Sequence, residues 1–202
     1  MLNVGSPAAV CLYISPQQDW TQGAVQYSRS FFEMTITQDL LAINLKGSYA
    51  DLQTKYSSQN VTYFLQVGNA TSFIFSYSTA GRRFMQSTLI AYVDAGNVTA
   101  LTQDVSCPTC DSSLCAPFSF NFSNYPKGDR GATEGCFTPV AECEVLPSGG
   151  NSCDLQVYLT LQGSDASGRT LFSSDARASQ FNGFDLLGKV DFTAWNLNYL
   201  IK

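Results

Sequence analysis

The sequence predicts an all-β fold: an antiparallel β-sandwich, jelly-roll or Ig-like, with a disulfide-stapled loop insertion. Three observations predict it. Apolar and polar residues alternate over short runs, as on strands with one buried face. Gly, Asn, Asp and Ser punctuate those runs, in the manner of sandwiches and barrels. The 14 Phe and 10 Tyr suit a pleated, half-buried surface. At 202 residues the chain reads as one such domain over 1–202, with a Cys-rich insertion at about 104–153.

Along the chain, the first predicted hairpin pairs Phe32, Met34 and Ile36 with Leu41, Ile43 and Leu45 across residues 37–40. Residues 49–56, after Gly47, read as a short helix. A second hairpin pairs 61–67 with 72–77 across Gly68-Asn69-Ala70-Thr71. Residues 84–93 form a longer strand that runs into the turn Asp94-Ala95-Gly96, and 98–105 follows it. Patterning thins between 104 and 153, apart from a short strand at 118–122.

The clearest strand comes next. Leu155, Val157, Leu159 and Leu161 alternate with Gln156, Tyr158, Thr160 and Gln162. The stretch from Gly163 to Gly168 reads as a turn and 169–173 as the returning strand. Asp165 and Gly168 also suit a calcium loop in outline, but the further acidic positions of an EF-hand are missing, so the turn is the reading. Residues 178–187 hold one helical turn, and 190–201 is the last strand.

Six of the seven cysteines, Cys107, Cys110, Cys115, Cys136, Cys143 and Cys153, lie close together among Pro, Ser and Gly. Two readings compete. Zinc thiolate sites use C-x2-C, but a second such pair or a histidine would be expected to complete one, and the chain has no histidine. Paired oxidation to disulfides fits an even cluster in loop-forming sequence and is the reading adopted, with no metal. Spacing does not choose among the pairings. Cys11 is left over, as a buried thiol or an intermolecular bridge.

Four N-x-S/T acceptor motifs mark Asn60, Asn69, Asn97 and Asn121 for glycosylation. Asn69 and Asn97 fall at predicted turns, where an attached glycan faces solvent. Charged residues are only 13% of the chain, so Ser, Thr, Asn, Gln or attached sugars must cover much of the surface. Sequons, crowded cysteines and low charge agree on an extracellular or cell-surface location. The first residues lack the basic and long apolar segments of a signal peptide, so this reading places any targeting segment outside the chain.

Several function classes are excluded or disfavoured. With 11 basic residues and a net charge of −5 there is no basic stripe for nucleic acid. No apolar run is long enough to insert in a membrane as a helix. Without histidine, Ser-His-Asp and Cys-His catalysis fall away. Phosphate-cradling glycine motifs are absent and no cofactor is implied. Glu33, Glu134, Glu142 and Glu144 are the only glutamates; paired carboxylates hydrolyse glycosides, but nothing in the spacing pairs these, and they read as surface acids.

Trp195 and Tyr199 share one face of the last strand, and Trp20 lies far upstream. Trp195 and Tyr199 read first as core and otherwise as aromatic platforms for sugar rings, and Trp20 as another such aromatic. A sparsely charged β-domain leaves strand edges with little to block pairing. The expectation is a non-enzymatic extracellular glycoprotein domain, structural or adhesive. It would be a subunit of a larger, even filamentous, assembly. Its partners would be copies of itself, other extracellular proteins or glycans. The alternative is a carbohydrate-binding, lectin-like β-sandwich.

Overall fold

The computed structural model describes residues 1–16, 28–35, 40–57, 59–104, 107, 110–120, 134–147, 149–171 and 191–192. These are mostly β, in several sheets whose pairs are mainly antiparallel, with three disulfides. In chain order the first elements are β1 (Pro7–Pro16), β2 (Ser28–Thr35), β3 (Leu40–Leu45), helix α1 (Ser48–Tyr56), β4 (Val61–Val67), β5 (Ala70–Thr71) and β6 (Ile74–Ser76). Next come β7 (Ser78–Thr79), β8 (Arg82–Arg83), β9 (Gln86–Asp94), β10 (Asn97–Gln103), β11 (Cys115–Pro117) and β12 (Ser119–Phe120). The last are β13 (Glu134–Cys136), β14 (Thr138–Pro139), β15 (Gln156–Ser164), β16 (Thr170–Leu171) and β17 (Asp191–Phe192).

One six-stranded sheet runs β12-β6-β4-β1-β2, with β5 paired to β4. A second runs β10-β9-β15-β3-β17, with β16 paired to β15. Alternation explains the first: Val10, Leu12 and Ile14 of β1 face the same core as Val61, Tyr63, Leu65 and Val67 of β4. Leu89, Ala91 and Val93 of β9 and Leu155, Val157, Leu159 and Leu161 beside them belong to that same core cluster. Tyr63 is wholly enclosed, and burial pushes its phenol above the usual tyrosine range.

Two expected hairpins are present. β4 turns back through β5 and β6, with Gln66 opposite Thr71 and Tyr63 opposite Phe75. β15 turns back to β16, with Gly163 opposite Leu171. The expected hairpin between 32–36 and 41–45 is not formed: β2 pairs with β1, and β3 pairs with β15 in the other sheet. Periodicity assigns a residue to a face but does not name the neighbouring strand.

Pairing is not uniformly antiparallel. β15 lies parallel to β9 over eight positions, Gln156 opposite Gln86 through Gly163 opposite Val93, and β17 lies parallel to β3. A parallel pair is covered on both faces. Ser87, Thr88, Leu89, Ile90 and Ala91 are accordingly all buried, as are Val157, Tyr158, Leu159, Thr160 and Leu161. The supposed polar face of β15 is thus enclosed at Tyr158 and Thr160.

The Cys-rich segment is joined to the main core. β12 extends the first sheet through Ser119 opposite Phe75, and β14 pairs with β8. Phe118 is buried and stacks on Phe75 and Phe84, with ring centroids 5.1 and 5.6 Å away. Gly135 passes directly over it: a Cβ there would lie 2.6 Å from the Phe118 ring. Among the described residues no helix is long and apolar enough to cross a membrane.

Candidate functional site

Two turns and the first residues of the chain converge. Asp165 organises them. Its Oδ2 accepts the Val4 N–H, and Oδ1 accepts the N–H of Ser167, the hydroxyl of Ser167 and the N–H of Arg169. The Leu2 N–H donates to the Gly96 carbonyl, and the Ala166 N–H to the Leu2 carbonyl. Both carboxylate oxygens therefore face N–H and O–H donors, as in a turn rather than an open cation loop. The Ser167 hydrogen bond, with the backbone donors, holds this carboxyl below the ordinary aspartate range despite desolvation acting the other way.

A carboxyl whose folded pKa is depressed adds stability above its unfolded pKa and loses it as pH falls through the folded one. Unfolding titrations should therefore show an acid limb beginning below about pH 4. Asp165→Asn should flatten that limb, and an identical acid limb in the variant would remove Asp165 as its source.

Beside this knot lies a cavity of about 350 Å3 bordered by Asn69 and Asn97. Asn69 sits in the turn between β4 and β5, where Gly68 takes φ 59° and its carbonyl accepts the Gln66 side-chain amide. Asn97 opens β10 immediately after Gly96 at φ 79°. Both asparagines are exposed, and so is Asn60 ahead of β4. Two N-x-S/T asparagines from separate hairpins thus share one rim, which their spacing in sequence did not reveal. The rest of the lining is aliphatic or backbone, including Leu2, Pro7, Ala8, Ala9, Val67 and Val98.

The disulfides are Cys107–Cys115, Cys110–Cys136 and Cys143–Cys153, with Cα separations of 5.8, 5.8 and 5.4 Å. All six clustered cysteines pair among themselves. The first two bonds tie the C-x2-C to the facing ends of β11 and β13, where Cys115 lies opposite Cys136. Glu134 Oε2 lies 3.5 Å from the Cys115 sulfur. The third bond closes the turn before β15, and Cys153 is fully buried.

Cys11 belongs to none of these bonds and is buried on β1, opposite Phe31 and Gln66. Its burial predicts that a thiol-specific reagent labels it slowly in the folded protein and fully after denaturation. Fast native labelling would show that the strand opens readily.

Glu134, Glu142 and Glu144 are exposed. Trp20, Trp195, Tyr199 and Asn121 lie outside the described residues. Sequence reasoning passed over Asp154, which the fold places at the centre of a buried network described below. A single acid after a cysteine carries no local signal. No protein-family model, curated protein or solved structure matches this chain.

Proposed function

We propose that the chain is a non-enzymatic, extracellular glycoprotein domain with a structural or adhesive role, built as one β-sandwich over 1–202 and acting within a larger assembly. The observation that carries this reading is the set of three disulfides on a chain whose β core is already extensive. A core of this size does not need crosslinks to fold, so their use suits a chain that must persist in an oxidising, protease-rich setting. Exposed Asn60, Asn69 and Asn97 support the glycoprotein part. The single core cluster shared by the two large sheets supports the sandwich part.

The test is to pass the chain through a eukaryotic secretory pathway. Intact mass is measured before and after deglycosylation and reduction, and sedimentation is measured over a range of concentrations. The expected result is glycan loss at Asn69 and Asn97, three reducible bonds and concentration-dependent association. Reduced, unmodified cysteines would overturn the extracellular reading. A monomer at every concentration would overturn the assembly.

A further inference from the structure

We propose that Cys107, Cys110, Cys115 and Cys136 form a thiol-exchange site, whose two disulfides are interconverted with a second pairing by an external monothiol. The proposal goes beyond the structural role above and rests on the disulfide geometry alone. The sulfur atoms of Cys107, Cys110 and Cys136 lie within 4.8 Å of one another, so Cys107 is beside both sulfurs of the neighbouring bond. Cys115 and Cys136 are direct partners across β11 and β13. Directly opposed strand residues stand about 4.5–5.5 Å apart at Cα, inside the range a disulfide spans. The C-x2-C spacing closes on itself in the same way as in thiol–disulfide oxidoreductases. The alternative pairing, Cys107–Cys110 with Cys115–Cys136, is therefore available with little movement of β11 or β13.

The exchange balances without net oxidation. An external thiolate attacks the Cys115 sulfur, the Cys107–Cys115 bond breaks, and Cys107 departs as thiolate. Cys107 then attacks Cys110, forming the Cys107–Cys110 bond and releasing Cys136 as thiolate. Cys136 attacks the mixed disulfide on the opposite Cys115, forming the cross-strand bond and returning the external thiolate. Entry is favoured at the first bond: Cys107 and Cys115 are both partly exposed, whereas the second bond joins a partly exposed Cys110 to a buried Cys136. The Glu134 carboxylate beside Cys107 and Cys115 repels an incoming thiolate and acts as a brake. In the first pairing Cys107 and Cys110 are each bonded to a strand cysteine, and in the second they are bonded to each other.

The experiment incubates the oxidised protein anaerobically with a catalytic amount of reduced glutathione at neutral pH. Samples are quenched in acid and cleaved before aspartates. Asp104 and Asp111 bracket the C-x2-C, so the first pairing yields this peptide joined to two others. The second yields it alone with an internal bond. The expected result is growth of the lone peptide and of a Cys115–Cys136 crosslink, with Cys143–Cys153 unchanged. Glu134→Gln should raise the rate severalfold, because it removes the negative charge that repels the incoming thiolate. An unchanged pairing, accumulation of free thiols, or scrambling into Cys143 and Cys153 would each overturn the proposal. An unchanged rate in Glu134→Gln would remove Glu134 from it.

Discussion

Replacing Gly163 by alanine is expected to destabilise the protein by about 3 kcal/mol or more, among the largest effects of any single substitution here. Gly163 stands in β15 opposite Val93 of β9, at φ 122°, which side chains rarely adopt. A Cβ there would sit 1.9 Å from the Val93 carbonyl oxygen. That oxygen belongs to the backbone of the central parallel pair, so relief requires the strands to part. Gly168 supplies the control. It also has a positive φ, 82°, but nothing lies within 4 Å of its would-be Cβ. Gly168→Ala should cost about 1–2 kcal/mol, the backbone penalty alone. Denaturant unfolding of both variants checks this. Equal losses would mean that close approach at Val93 contributes nothing.

Asp154→Ala is expected to cost on the order of 3–5 kcal/mol and to lower the melting midpoint by about 10 °C. Helix α1 begins at Gly47, which has no side chain to cap it. The cap comes from far along the chain. Asp154 Oδ1 accepts the Tyr49 N–H at 2.9 Å, and Oδ2 accepts the Gly47 and Asn151 N–H groups at 2.9 and 2.8 Å. The negative charge also favours the helix N-terminus. Asp154 is only 2% exposed, so truncation leaves three donors without this acceptor and with little access to water. The neighbouring Tyr77 hydroxyl donates to the Cys153 carbonyl at 2.8 Å, and the Leu155 N–H donates to Ser48 Oγ at 2.8 Å. Loss of the carboxylate should therefore also speed reduction of Cys143–Cys153 by external thiol. A variant within about 1 kcal/mol of the parent would show that the network repairs itself around the gap.

Local pairings were the most readable part of the sequence. The β4–β6 and β15–β16 hairpins bring together residues a short turn apart, and Gly, Asn and Asp mark those turns directly. The same logic misassigned β2 and β3. Each strand was visible, but its neighbour depends on where the whole set of apolar faces closes. The long apolar run Leu89-Ile90-Ala91 was the one trace of the β9–β15 parallel pair, since burial on both faces suppresses alternation. The acceptor asparagines were legible as motifs. Their meeting at one cavity was not, because Asn69 and Asn97 lie on turns whose hairpins belong to different sheets.

By itself the sequence determined the β character, the disulfide-forming cluster, the exposed acceptor turns and the absence of imidazole chemistry. Those properties reside in residue type and short spacing, and torsional preference and side-chain reactivity act over that range. Tertiary structure alone decided which cysteines bond, which strands neighbour one another, and that Asp154 caps a helix 105 residues away. Each of those outcomes depends on distances between remote parts of the chain, and such distances exist only once the apolar faces have packed.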